Sequence, residues 1–551
     1  MRERWLRALE REEAWLYLAP FALFLAFRIP LLSCLPYGDY AVVATVPLGQ
    51  AGRLSCHPIL LEVFLRLAYL LFGWNSLPWV PFLFNAGVFG LVVPVARRYL
   101  TYPETLAALG LLAASPWSNS ASSQLYIDGS IFTFFLMALL HFYQRLADGG
   151  RRLDLVCCGL SFGCLWMSKY SALVAAAGLG LHSALTRGFS KTVQEFGVIF
   201  IVGAALFSLY PLLCRGHSSY SSGKILLLME SLLGHAGRAE RARPALGAYL
   251  ASYAKMLIFM GPLLIWAPWR AVAAPELRRE LGLPLLLCAS YAAAIFFLLQ
   301  PHNVIQYWSP LAPIFCIVAA KVMGHDFGPS SRRGVWPWTG VCVLVLAGLT
   351  ALGPREVVAI HPHLHLSREA LFRFLPIRLF LGPNPTLYLK PAALLFGFAA
   401  FFGLILASRF APGLRAPALA AGLAYGLFYS AEYSYAALSP DIDHAARAAL
   451  ASLRRGGFPR PVYAHGLAAA ACAAQGIDVV VFTYYPGAMD TVVERVSRTG
   501  GTLVFMDASS VGPDDPLRMF LRGGAVLRET LGDRGVALAE IWEIPGQRKK
   551  S

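Results

Sequence analysis

Apolar positions dominate long stretches of the chain. YLAPFALFLAFRIPLL (residues 17–32) contains a single charge, Arg28, and LCASYAAAIFFLL (287–299) contains none. Such runs approach the ~20 apolar residues a helix needs to cross a bilayer. They do not alternate apolar with polar over ~10 residues, as the strands of a membrane barrel do. The pattern predicts an all-α polytopic membrane protein. Its thirteen spans are 15–36, 77–96, 105–121, 129–146, 153–168, 171–186, 194–213, 252–269, 283–299, 305–322, 337–353, 388–408 and 417–436. One more stretch, PILLEVFLRLAYLLFG (58–73), is apolar enough to span. It also carries Glu62 and Arg66 four apart on one helical face, as a helix lying in the membrane interface does.

Positive charge decides between these two readings. If 58–73 lies on the surface, Arg2, Arg4, Arg7 and Arg11 share a side with the later basic loops. Those loops hold Arg97 and Arg98; Arg145, Arg151 and Arg152; Arg187 and Lys191; Arg270, Arg278 and Arg279; Lys321, Arg332 and Arg333; and Arg409 and Arg415. The opposite loops 118–128 and 300–304 have no Lys or Arg. A crossing helix at 58–73 would reverse every later loop, against the enrichment of Lys and Arg on the cytoplasmic side. The expected layout is a cytoplasmic amphipathic tail (1–14) and a transmembrane domain (15–436). Outer loop 37–76 carries the juxtamembrane helix.

Beyond residue 437 the pattern changes. RPVYAHG, IDVVVFTYY, GTLVFMDAS and VALAEIWEIP read as short strands, with MDTVVERVSRTG and DPLRMFLRGG as helices between them. This alternation predicts a small α/β domain over 437–551. An odd number of spans from a cytoplasmic N-terminus places it outside the cytoplasm.

Composition supports the membrane class: 57% of the 551 residues are hydrophobic and 14% charged, against about 25% charged in soluble domains. The net charge of +16 would suggest nucleic acid in a soluble protein. Here the basic residues lie between apolar runs, so orientation and anionic membrane lipids account for them, and no nucleic-acid partner is expected. The start, MRERWLRALEREEAWLYLAP, has no small-residue cleavage site and reads as a tail leading into a span. The ten cysteines show no metal-ligand spacing and read as inert buried thiols. Cys34 and Cys56 alone bracket an outer loop, where an oxidising compartment would allow a bridge.

Ionisable residues at a membrane edge are functional candidates. Asp39 follows the first span, His57 opens the juxtamembrane helix, Asp128 stands at the start of the fourth span, and Lys169 lies in the turn between the fifth and sixth. His302 and Gln306 precede the tenth. Two carboxylates with nearby cations suit a substrate whose phosphate sits among lipid headgroups. One carboxylate can take a proton from an attacking hydroxyl. Lys and His can hold the phosphate as it leaves. A second carboxylate can hold a divalent metal ion, the one cofactor these residues suggest. Each residue also has a plain structural reading. Asp39 after Gly38 suits a turn, His57 before Pro58 the start of a helix, and Asp128 an N-cap. Lys169 suits a snorkelling cation and His302 a loop residue.

The order of these features resembles the GT-C glycosyltransferases. The likeness is to the protein O-mannosyltransferase and aminoarabinose-transferase branch, whose members use polyprenyl-phosphate-linked sugars. It runs through GDYAVVATVPLGQAGRLSCHPILLEVF, with its acid, Gly and His-Pro, and reaches Arg97-Arg98. It continues through ASPWSNSASSQLYIDGSIFTFF to GLSFGCLWMSKYSALV, so that residues 15–215 match in order; YWSPLAPIFCIVAA is a later, weaker element. The resemblance implies a membrane enzyme that moves a sugar from a polyprenyl-phosphate donor to a lipid, glycan or protein acceptor, with inversion, on the extracytoplasmic face; the Ala-, Arg- and Gly-rich usage leans to a bacterial plasma membrane. It makes Asp39 the acceptor-activating acid. It places His57, Lys169 and Asp128 near the donor phosphate or a bridging metal. His302 stands where relatives often have Arg. This chain also departs in having Tyr40 where many relatives have Glu, and Ile59 in place of a second Pro.

Two other readings are a glycan-lipid flippase and a non-catalytic member of the same fold. A transporter calls for paired inverted repeats with broken spans in matching positions. The sequence shows neither.

Overall fold

The computed structural model describes residues 14–35, 37–38, 60–125, 128–169, 171–209, 246–297, 305–327, 334–352, 391–438, 441–464, 472, 475–481, 489–506, 516–534 and 536–546. Helix α1 (Ala14–Arg28) runs into a 3₁₀ turn (Ile29–Ser33), followed by strand β1 (Tyr37–Gly38). Helices α2 (Leu60–Phe72), α3 (Trp79–Ala96), α4 (Tyr102–Ala113) and α5 (Pro116–Ser123) lead to strand β2 (Gln124–Leu125). A π-helical turn (Asp128–Phe132) opens α6 (Thr133–Ala147), followed by α7 (Arg152–Ser168), α8 (Ala172–Arg187) and α9 (Phe189–Phe207). Next come α10 (Leu246–Ala273), α11 (Pro275–Glu280) and α12 (Gly282–Phe297). A 3₁₀ turn (Ile305–Leu311) precedes α13 (Ala312–Asp326), α14 (Val335–Leu352), α15 (Pro391–Ala407) and α16 (Arg415–Tyr435).

A helix falls in each of the thirteen apolar segments. Among the described residues, five helical stretches are long and apolar enough to cross a membrane: Trp74–Ala96, Gly129–Ala147, Phe189–Phe207, Met256–Ala273 and Val335–Leu352. The segment predicted as one span over 105–121 is instead two helices, α4 and α5. Pro116 has no N–H for the carbonyl of Leu112, so the α4 ladder stops. The Arg28 guanidinium takes up the open carbonyls: Nη2 donates to Leu112 O (3.3 Å) and Nη1 to Ala113 O (3.2 Å). Nη2 also donates to Ser118 Oγ at 2.8 Å. Arg28 is 1% exposed, so the single charge of the first apolar run is held entirely inside the protein. An Arg28→Lys substitution keeps the charge but not the planar fork. It should cost about 1–3 kcal/mol, the range for a buried polar group left unsatisfied. A detergent melting curve matching wild type would overturn this.

The same logic shapes α10, which kinks at Gly261 (φ +75°). Pro262 leaves the Ile258 carbonyl without its helical donor, and the Tyr425 hydroxyl replaces it at 2.6 Å. A Cβ on Gly261 would lie 2.7 Å from the Tyr425 ring, so glycine serves here both for its φ and for the close approach.

Helix α2 buries Leu61, Glu62 and Leu65 and exposes Val63, Leu67, Leu70 and Leu71. Glu62 is 4% exposed and Arg66 is exposed, so burial separates the pair that the sequence places four apart on one helical face. The apolar side chains that α2 leaves uncovered are those an interfacial helix lays against lipid.

The C-terminal part comprises α17 (Ile442–Arg455), β3 (Val462–Ala464), β4 (Val479–Val481), α18 (Met489–Thr499), β5 (Gly501–Met506), α19 (Pro516–Gly524), β6 (Val526–Asp533) and β7 (Val536–Ile544). Helix α17 and strand β6 are additional to the elements the sequence predicts. The sheet order is β4-β3-β5-β7-β6; β3 is parallel to β4 and β5, and β7 is antiparallel to β5 and β6. Alternate residues face opposite sides. Val462, Ala464, Ala539 and Ile541 pack with α17, whereas Tyr463, Trp542 and Ile544 pack with Val496 of α18 and Leu521 of α19.

Candidate active site

A two-residue parallel bridge joins distant parts of the membrane domain: Tyr37 pairs with Gln124 and Gly38 with Leu125. Gly38 immediately precedes Asp39, and Leu125 lies three residues before Asp128. The bridge therefore brings together the chain segments that carry the two candidate carboxylates. Residues 128–132 form a π-helical turn, a rare conformation that is frequent at functional sites. Its Ser130, Ile131 and Phe132 are buried. Asn85 of α3 supports it, donating from Nδ2 to Gly129 O (3.4 Å) and to Pro81 O (3.2 Å). The turn packs against α3, α5, α7 and the 3₁₀ turn Ile305–Leu311. The last of these begins three residues after His302.

Lys169 ends α7. Its backbone is extended (φ −160°, ψ 146°) and its N–H donates to Leu165 O at 3.0 Å. The side chain is 6% exposed, so this cation lies within the protein and is not a plain snorkelling residue. Two residues earlier, Met167 packs with Leu60 of α2 and with Leu206 and Phe207 of α9. Leu60 lies three residues after His57. The α2–α7 contact thus joins the segments that carry two of the three candidate phosphate-binding residues, His57 and Lys169.

The C-terminal part reaches the same place. Asp443 Oδ1 accepts from the Leu35 N–H at 2.7 Å, and Arg447 Nη2 donates to Ser33 O at 2.6 Å. Arg447 Nε donates to Asp443 Oδ2 at 2.6 Å, linking the two side chains. The Leu35 side chain enters the apolar core between α17 and the sheet. Asp441 caps α17, accepting from the N–H groups of Asp443 (2.9 Å) and His444 (3.1 Å). Burial pushes the Asp441 carboxyl above its ordinary range; those N–H groups oppose the shift, and the charges of Asp443 and Asp533 add to it. A cavity of ≈ 530 Å³ opens beside this junction, lined in part by Trp74, Asn75, Arg447, Arg454 and Gln475.

Of the residues singled out in the sequence, Lys169 is described in full and Asp128 by its backbone, as is Gln306 in the 3₁₀ turn. Asp39, Tyr40, Cys56, His57, Ile59 and His302 lie outside the described residues. Sequence reasoning missed Asn85, Asp443 and Arg447. Asn85 stood out as a lone amide in the apolar run FLFNAGVFG. Asp443 and Arg447 lie four residues apart on α17, and nothing local in the sequence marks their contact with Ser33 and Leu35.

Residues 56–214 are similar to a known family. They match the family model described as Dolichyl-phosphate-mannose-protein mannosyltransferase. ArnT from Cupriavidus metallidurans bound to undecaprenyl phosphate is similar in structure, with a TM-score of 0.57 and 13% identity over 97% of this chain and 98% of that one. The apo state of the same protein gives a TM-score of 0.53 and 14% identity, covering 96% and 97% of the two chains. No curated protein sequence matches. The resemblance read from the sequence holds, and the fold is like that of ArnT. The chain is an integral membrane protein.

Proposed function

We propose that this protein is a membrane glycosyltransferase that moves a sugar from a polyprenyl-phosphate donor to an acceptor hydroxyl at the extracytoplasmic membrane edge. The β1–β2 bridge carries the reading. It joins the segment leading to Asp39 with the segment leading to Asp128, and the π turn that Asp128 opens packs on the turn after His302 and on α7, which ends at Lys169. The family match and the ArnT likeness support the donor class.

Asp39 takes the proton of the acceptor hydroxyl as its oxygen attacks the anomeric carbon. The bond from that carbon to the phosphate oxygen breaks, and polyprenyl phosphate leaves with the electron pair. A single displacement inverts the anomeric centre. Lys169, His57 and His302 bind the phosphate and balance the charge that develops on it. Asp128 is the proposed ligand for a divalent metal, which would neutralise the same charge when bound. Among the described residues no three His, Cys, Asp or Glu side chains gather to hold one, and no step here depends on it. Helix α2 lies in the outer interface, and the C-terminal part stands outside the cytoplasm, as the positive-inside layout requires.

Purified protein incubated with a panel of labelled polyprenyl-phosphate sugars should bind one of them and release polyprenyl phosphate when acceptor is supplied. Binding of none, with an active reference transferase in parallel, would overturn the proposal.

A further inference from the structure

Residues 33–38 link the first span to the proposed catalytic segment. They are held at two points, by β2 at Tyr37 and Gly38 and by α17 at Ser33 and Leu35. The α17 contacts reach across 408 and 414 residues of sequence and end on backbone atoms of the linker. Apolar docking alone, by Leu35 in the α17 core, holds two surfaces together but tolerates sliding. Directional bonds to a backbone N–H and a backbone C=O two residues apart set the position of the linker along its own axis. Asp443 is buried, and Arg447 Nε orients it.

We propose that Asp443 and Arg447 are positioning residues, a clasp by which the C-terminal part sets the register of β1 against β2 and so the placement of the residue that follows Gly38. The proposal rests on the reading of Asp39 as the base. It makes the C-terminal part a determinant of turnover, beyond any role in acceptor binding.

The double variant Asp443→Arg/Arg447→Asp tests it. The i,i+4 ion pair survives, but a donor now faces the Leu35 N–H and an acceptor faces the Ser33 carbonyl. The expected result is a kcat about 10²-fold lower, the scale of an ~1 Å misplacement, with KM for the donor within about twofold of wild type. Leu521→Ala of α19, in the separate core on the other face of the sheet, is the control. It should lower the melting temperature and leave kcat in place. Amide deuterium uptake over residues 33–38 reads the clasp without turnover and should rise in the double variant only. Wild-type kcat in the double variant, or unchanged uptake at 33–38, overturns the proposal. If the wild-type protein turns over no donor, the functional reading fails while the uptake result still decides whether the clasp exists.

Discussion

Asp39→Asn should slow sugar transfer by orders of magnitude while leaving donor binding intact. Asparagine keeps the shape and hydrogen bonding of the side chain but cannot accept the acceptor's proton, so the loss falls on kcat. General-base catalysis contributes roughly 10²–10⁴-fold, and kcat should fall by that factor with the donor Kd close to wild type. Single-turnover release of labelled polyprenyl phosphate measures the first, and equilibrium binding of the donor measures the second. A variant that transfers at the wild-type rate removes Asp39 from the mechanism. Loss of donor binding in parallel with rate would assign it to the donor site instead.

Lys169→Met should produce the second largest effect, and of a different kind. The side chain is buried at the end of α7, where water does not screen it, so its interaction with a phosphate is stronger than that of a surface lysine. It is proposed to meet the phosphate in the ground state and more strongly as charge develops during departure. Methionine preserves the length and much of the packing but not the charge. The expected result is a donor Kd raised about tenfold and a kcat lowered about 10²–10³-fold, the scale of one lost oxyanion donor. A Kd that rises with kcat unchanged would make Lys169 a binding residue only. An unchanged Kd and kcat would return it to a structural role.

Much of the membrane fold was legible because hydropathy is a local property. An apolar run long enough for a bilayer must satisfy its backbone internally, so it forms a helix wherever it occurs. A helix accordingly falls in every apolar segment, and α2 emerges as a separate helix. Helix ends were less legible. The break between α4 and α5 needs Pro116, which is visible in the sequence, and also Arg28, whose contact with Leu112 O and Ala113 O is not. Strand β6 escaped notice because its residues are mostly exposed or half-exposed at the sheet edge, so it lacks the apolar alternation that marks a buried strand.

For the candidate site, the sequence by itself selected the residue types beside apolar runs, because an ionisable side chain there stands out without any partner. It could not select partners. The β1–β2 bridge, the packing of the π turn on the 3₁₀ turn Ile305–Leu311, and the Asp443–Arg447 hold on Ser33 and Leu35 are pairings through space. No periodicity records them, since each depends on the register of one packed element against another. The candidate residue types could therefore be read along the chain, whereas the pairing of the segments that carry them was decided only by tertiary packing, where directional bonds to buried backbone groups are worth most.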